Sequence, residues 1–369
     1  NTAGWFNIPA HLLKVSDNLA IYLQNSQNVS AYALNKLAQE FDYHYTSMTN
    51  IYGTHSDIDA NGKIIILLMD INKTKGSGNQ VLGYFNPSDM HGNNKGEILY
   101  MDISNANNNT DKAIGTIIHE FQHLINYSYV ISGERNEMSS WLNEALSEST
   151  SILFNKTTAE SRINEFNNIN YYCFYTWDIP TNISNNNKNN THVNYPSASV
   201  FMHWLYKTNN CDKNIFKTIA SSKELGDYNK VLSAAKGISG YSVNSWDGLL
   251  LDWMSEIVTN GNNWKTTNKP TNNCASGDVS LYPGAMIVCD NYTNGASGNI
   301  VTNKVNGGSG KTIVLNKDTN LKGSAVKVSV SSSTSSKARM RRSAIRNDNN
   351  EESRDINILL DRNGNIKKD

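Results

Sequence analysis

An α+β fold is predicted for this chain: an N-terminal half built from a sheet and helices, a mainly helical half, and a β-sandwich-like C-terminal end. Three observations predict it. β-prone apolar runs alternate with amphipathic helical periods over the first third of the 369 residues. From Asn136 to about Asn260 the apolar residues recur mostly at helical spacing. Beyond residue 276 the chain breaks into short β-prone runs separated by turn residues. The boundaries that follow are one unit over 1–262, a linker over 263–276 rich in Asn, Thr and Pro, and a β-rich unit over 277–369.

In chain order, Ser30 to Tyr52 reads as a helix, because Tyr32, Leu34, Leu37, Phe41, Tyr45 and Met48 recur near helical spacing. Lys63–Ile71, Val81–Phe85 and Gly96–Ile103 read as strands. Ala113 to Tyr129 is helical, with Ile114, Ile117, Ile118, Phe121, Leu124 and Ile125 on one buried face. Residues 131–137 form a loop with Gly133 as the helix stop, and Met138–Phe154 is the next helix. Trp246–Val258 is the last strong helix of the helical half. The β-prone runs near the C-terminus include VSLYPGAMIV, NIVTNKV, KTIVLN, AVKVSVS and INILLD, with a tight turn at Gly364.

The chemistry concentrates in His119-Glu120-Phe121-Gln122-His123 and Asn143-Glu144-Ala145-Leu146-Ser147-Glu148. Histidines four apart on a helix share a face, so His119 and His123 can offer one imidazole nitrogen each to a single zinc ion. Glu120 lies one step round the helix, placed to reach water rather than the metal. In the extended form H-E-x-x-H-x-x-G-x-x-H, positions 126 and 129 would be Gly and His; they are Asn126 and Tyr129, which excludes that class. Glu144 instead lies on the next helix, 21 positions after His123, where an antiparallel return can face it toward the histidines. Glu148 shares the Glu144 face and is placed to receive the second ring N–H of His119. Two glutamates on a helix are ordinarily a solvated stripe; Trp141, Leu142, Ala145 and Leu146 around them argue for burial.

These residues resemble the gluzincin metalloproteases. The Asn143–Glu148 pattern looks like thermolysin-type enzymes, and HEFQHLIN with WLNEALSE looks more like the hyicolysin family (peptidase family M30). The resemblance covers about Ile98 to Tyr206. It implies a thermolysin-like zincin catalytic unit, Zn2+ held by His119, His123 and Glu144, Glu120 as general base, Glu148 behind the ligands, and a secreted or cell-surface endopeptidase acting on proteins or peptides. By analogy with related enzymes it also points to an oxyanion donor in the segment 191–206. Tyr195 is the first candidate, at the start of a helix opened by Pro196; His192 is the second. His203, within an apolar helix, reads as a core residue. An edge strand should hold the peptide by main-chain pairing, with Gly96–Ile103 proposed for it.

The chain carries 33 basic and 33 acidic residues, giving zero formal charge and a pI near 7.2. This offers no electrostatic support for a nucleic-acid partner. No apolar run is long enough for a transmembrane segment, and a monomer is expected. Asn1-Thr2-Ala3-Gly4 reads as a processed or trimmed N-terminus. None of the four cysteines forms a C-x-x-C pair. In an exported chain Cys173–Cys211 and Cys274–Cys289 are the pairings that respect the domain division, one of three sets. Asp57-Ile58-Asp59-Ala60-Asn61-Gly62 resembles the first half of a calcium loop, with Asp57, Asp59 and Asn61 as candidate Ca2+ ligands. Leu68 at the twelfth position excludes an EF-hand, and a polar turn is the plainer reading. Ser331–Ser353 is a polar, low-complexity stretch with clustered Lys337, Arg339, Arg341, Arg342 and Arg346, read as a mobile loop or a polyanion contact.

Two other functions compete. An aminopeptidase of the same group would need an acidic site for the substrate amine, and no G-x-M-E-N-type motif precedes His119. A non-catalytic surface adhesin on a peptidase scaffold would have no use for Glu120.

Overall fold

The computed structural model describes residues 7–72, 81–92, 94–177, 191–261, 277–290, 292, 298–305, 310–320 and 323–330, with the backbone alone for Thr191, His192, Gly277, Asp278 and Val330. The expected linker 263–276, the loop 181–190, the basic stretch from Ser331, the INILLD run and the Gly364 turn lie outside the described residues. In order the elements are β1 (Ala10–Val15), β2 (Leu19–Gln24), α1 (Ala31–Tyr52), β3 (Ile64–Met69), β4 (Gly83–Phe85), β5 (Ile98–Asp102), α2 (Ile103–Asn108), α3 (Thr110–Ile131), α4 (Ser140–Phe154), α5 (Lys156–Asn168), α6 (Thr191–Thr208), α7 (Asn214–Ser221), α8 (Asp227–Lys236), α9 (Trp246–Asn260), β6 (Gly277–Leu281), β7 (Met286–Asp290), β8 (Ile300–Lys304), β9 (Lys311–Asn316) and β10 (Val326–Val330). The α+β class is observed.

The N-terminal sheet has the order β1-β2-β3-β5-β4. β2, β3 and β5 run parallel, while β1 and β4 are antiparallel to their neighbours. One face of β3 is fully buried at Ile64, Ile66 and Leu68, and Ile65 and Leu67 on the other face are apolar and half-buried. One consequence corrects the expectation for the substrate strand. β5, which covers most of Gly96–Ile103, is paired on both sides, and β4 is the strand at the sheet edge. A strand with both ladders filled cannot pair with a peptide.

α3 lies against α1, β4 and α4, and its Ile114, Ile117, Ile118, Phe121, Leu124 and Ile125 are all buried, as the helical period requires. Gly133, at φ +76°, follows α3 in the left-handed region and lets the chain reverse into α4. Gly115 within α3 has a packing reason. A Cβ there would stand 2.5 Å from Thr158 Oγ1 and 3.0 Å from Asn155 Cγ, where α5 begins. Asn155 caps α5 through Thr158 N–H and donates to the Asp111 carbonyl of α3. Gly115→Val is therefore expected to lower stability by about 1–3 kcal/mol through overpacking; chemical denaturation with a midpoint equal to wild type would contradict this.

The C-terminal strands form a three-stranded antiparallel sheet, β7-β9-β8, and a two-stranded one, β10-β6. They share one continuous apolar core with the helical half. Tyr172 exchanges both main-chain hydrogen bonds with Met286, and Tyr171 Oη donates to the Ser280 carbonyl.

The cysteine expectation is corrected in part. Cys289 is disulfide-bonded, but Cys173 and Cys211 are both free. Thr176, three residues after Cys173, hydrogen-bonds the Asn194 side chain near the start of α6, whereas Cys211 lies beyond its C-terminal end. At 1.5 Å per residue the helix separates the two by about 25 Å, far beyond disulfide reach. Burial pushes the Cys173 thiol up to about 11, so it remains a thiol.

Candidate metal centre

α3 and α4 bring the two sequence segments together. Asn126 of α3 donates to Asn143 of α4 across the pair (2.9 Å), holding their register just beyond the histidines. His119 Nε2 lies 3.2 Å from Glu144 Oε2, His123 Nε2 lies 3.2 Å from His119 Nε2, and His123 Nε2 lies 3.5 Å from the same Glu144 oxygen. A tetrahedral zinc site with bonds of about 2.0–2.1 Å has donor–donor edges of about 3.3 Å. The triangle of donors matches that edge, so these residues fit a zinc ion.

The surroundings orient these donors. Ser147 Oγ donates to Gln122 Oε1 (2.5 Å) and lies 3.1 Å from His123 Nδ1. With its only proton spent on Gln122, the hydroxyl can only accept from His123 Nδ1–H, which leaves Nε2 facing His119 Nε2 and Glu144 Oε2. Burial opposes charge on His123, but Glu144 overrides it and raises the imidazole pKa to about 9. Glu144 is correspondingly held well below the usual carboxylate range: burial works against this, and His123 and His119 prevail. The proton shared by this pair is what a bound cation would displace.

Glu148 is 1% exposed, and its Oε1 lies 3.6 Å from His119 Nδ1, close enough for charge pairing and long for a hydrogen bond. Arg162 of α5 grips both Glu148 oxygens, through Nε at 2.9 Å and Nη2 at 3.0 Å. The fork fixes the carboxylate plane and compensates its buried charge. The same guanidinium lies over the Tyr195 ring, 4.6 Å from its centroid.

Glu120 stands beside the triangle with Oε2 accepting from the Phe85 main-chain N–H (3.0 Å). The Glu120 carboxylate is thereby anchored to β4. Burial raises its pKa, and Glu144 adds to this while the two histidines oppose it. Among the described residues no strand pairs with the outer edge of β4.

Tyr195 enters from α6, its ring 6.3 Å from the His119 ring and edge-on to Trp177 at 5.1 Å. Its phenol is held protonated, with a pKa well above the ordinary value, by burial first and then by Glu144 and Glu148, against Arg162. The expected helix start is corrected: α6 begins at Thr191, and Pro196 lies inside it, putting Tyr195 in the second turn. The His192 side chain lies outside the described residues. His203 is half-buried on the same helix.

Asp57 and Asp59 also come together, and the third carboxylate beside them is Glu97. Asn61 is engaged locally: its Nδ2 donates to Asp59 Oδ2 (2.7 Å) and its Oδ1 accepts from Lys63 N–H (2.6 Å).

The sequence reading missed Ser147, Arg162, the Phe85 N–H and Glu97. Ser147 could have been found, since it lies three residues after Glu144 on the same helical face. The others are brought in by packing and carry no local signal. No helix among the described residues is long and apolar enough to cross a membrane.

No family profile matches the chain. Over 200 residues, half of the chain, it is 28% identical to the neutral metalloprotease ShpI of Staphylococcus hyicus. The matched segment spans 44% of that protein, less than half of its length.

Proposed function

We propose that this chain is a zinc-dependent endopeptidase of the gluzincin type, with a thermolysin-like catalytic unit and a secreted or cell-surface location. One observation carries the reading: three donors from His119, His123 and Glu144 at tetrahedral-edge separations, beside a glutamate anchored to β4, whose outer edge no strand among the described residues pairs with. The similarity to a metalloprotease over half of the chain supports it. Zinc held there would supply the Lewis acid that activates water and polarises the peptide carbonyl.

The chain's own residues supply the rest. An extended substrate pairs with the outer edge of β4, which places its carbonyl beside Glu120. Glu120 takes the proton of the attacking water and passes it to the departing amine. Its raised pKa suits a group that must both accept and return a proton. The protonated Tyr195 Oη–H is the candidate donor to the developing oxyanion. Glu148, held by Arg162, steadies His119, as Ser147 steadies His123.

The direct test is hydrolysis of casein and of end-blocked peptides by the purified protein, with loss on chelation and recovery on adding zinc. Cleavage of end-blocked peptides separates an endopeptidase from an aminopeptidase, because the latter needs a free amine. Zinc bound at one equivalent without hydrolysis of any peptide library would refute the reading and favour the scaffold alternative. Tyr195→Phe is expected to lower kcat by tens-fold or more with KM and zinc content little changed. A kcat near wild type would remove Tyr195 from the chemistry.

A further inference from the structure

We infer that Asp57, Asp59 and Glu97 form a second metal site, one for calcium, that clamps the turn before β3 to the start of β5. Two exposed aspartates in a polar turn would not make a site. Glu97 is what points to a ligand. It is 1% exposed, and its Oε1 is filled by Ser56 Oγ–H (2.8 Å) and Ile58 N–H (2.9 Å). Its Oε2 is equally buried and accepts no hydrogen bond. A buried carboxylate oxygen left without a donor is costly, and native structures seldom leave one so.

The orphaned group sits in a cluster of its own charge. One oxygen from each of Asp57, Asp59 and Glu97 lies within 4.8 Å of the other two. Among the described residues, no lysine or arginine forms an ion pair with any of them. Three carboxylates at that separation repel, and a divalent cation among them reverses the sign of the interaction. The donors are all oxygen, with no imidazole or thiolate, which disfavours zinc. A turn supplying carboxylates, with main-chain carbonyls and water to complete six to eight ligands, suits calcium better than the rigid octahedron of magnesium.

The clamp reaches the active helix. Ser56 carries one of the bonds to Glu97, and its own N–H donates to Ser128 Oγ of α3 (3.1 Å). Next along, the Thr54 N–H donates to Tyr129 Oη (3.0 Å), also on α3. A cation here would tie residues 54–62, β5 and the end of the metal-binding helix into one unit, adding stability without touching the reaction.

The test uses full-length protein stripped on a chelating resin, reloaded with zinc and verified at one zinc per chain. It is then titrated with calcium chloride or magnesium chloride by calorimetry and followed by thermal unfolding. One calcium per chain is expected, with Tm raised by about 5 °C at a hundredfold excess over Kd. The Asp57→Asn/Asp59→Asn double variant is altered only at exposed positions and should fold. It should lose the calcium heat and the Tm shift, with zinc content and short-assay hydrolysis unchanged. Glu97→Gln should weaken calcium binding at least tenfold. Absent calcium binding in the wild type, an unaltered response in the double variant, or an equal response to magnesium would overturn the assignment. Because calcium binding is read directly, failure here leaves the zinc peptidase reading standing, and the converse holds as well.

Discussion

Glu120→Gln is expected to lower kcat for peptide hydrolysis by about 10²–10⁴-fold while zinc remains at one equivalent. The amide keeps the size of the side chain and can still accept the Phe85 N–H through its oxygen. It cannot take a proton from water. The three metal donors are untouched, so a metal assay and a rate assay should part company. Full hydrolysis in this variant would sink the proposed mechanism; loss of zinc alongside activity would show instead that Glu120 serves the site structurally. A change in KM alone would point to substrate binding at β4 rather than proton transfer.

Glu144→Ala is expected to abolish both zinc retention and activity. Its carboxylate supplies one corner of the donor triangle and the negative charge that would balance a bound cation. Removing it leaves two imidazoles, one of which loses the carboxylate that raises its pKa. Two-ligand zinc is weak, and affinity should fall by several orders of magnitude. The fold should survive, because α4 is held by its fully buried face of Trp141, Leu142, Ala145 and Leu146, while the Glu144 side chain keeps 19% of its surface exposed. Zinc at one equivalent after dialysis of this variant would remove Glu144 from the ligand set. Circular dichroism matching the wild type separates lost metal from a lost fold.

The two predictions differ in how much of their basis the sequence carries. His119, Glu120 and His123 share one helix, and helical geometry places them regardless of the rest of the chain. The same local rule made α1, α3, α4 and α9 legible, since an amphipathic helix writes its buried face as a 3.6-residue period. Glu144 needed one step more, a turn at Gly133 that returns α4 antiparallel. Its agreement with the histidines at 3.2–3.5 Å is a packing result.

Other features had no such trace. β1 is an edge strand with no fully buried side chain, so its alternation is faint. Sheet order is not written in any strand: β4 and β5 both read as strands, and only the pairing made β4 the edge. Arg162 looks like any helical arginine until α5, brought close by Gly115, lays it against Glu148. Glu97 is forty positions from Asp57 and meets it because the end of one loop lies beside the start of β5. Cysteine pairing is equally non-local, and Cys173 and Cys211 are kept apart by the length of α6.

By itself, then, the sequence determined the strongly periodic helices α1, α3, α4 and α9, the α+β class and the candidate donors His119, His123 and Glu144, because these depend on residue type and on spacing within a helix or across one turn. The tertiary structure alone decided which strand lies at the sheet edge beside Glu120, which side chains hold the candidate donors, which thiols stay free and which carboxylate joins the aspartates. Those depend on contacts between distant segments, where the energy lies in burial and pairing after the chain has folded and no local period records the outcome.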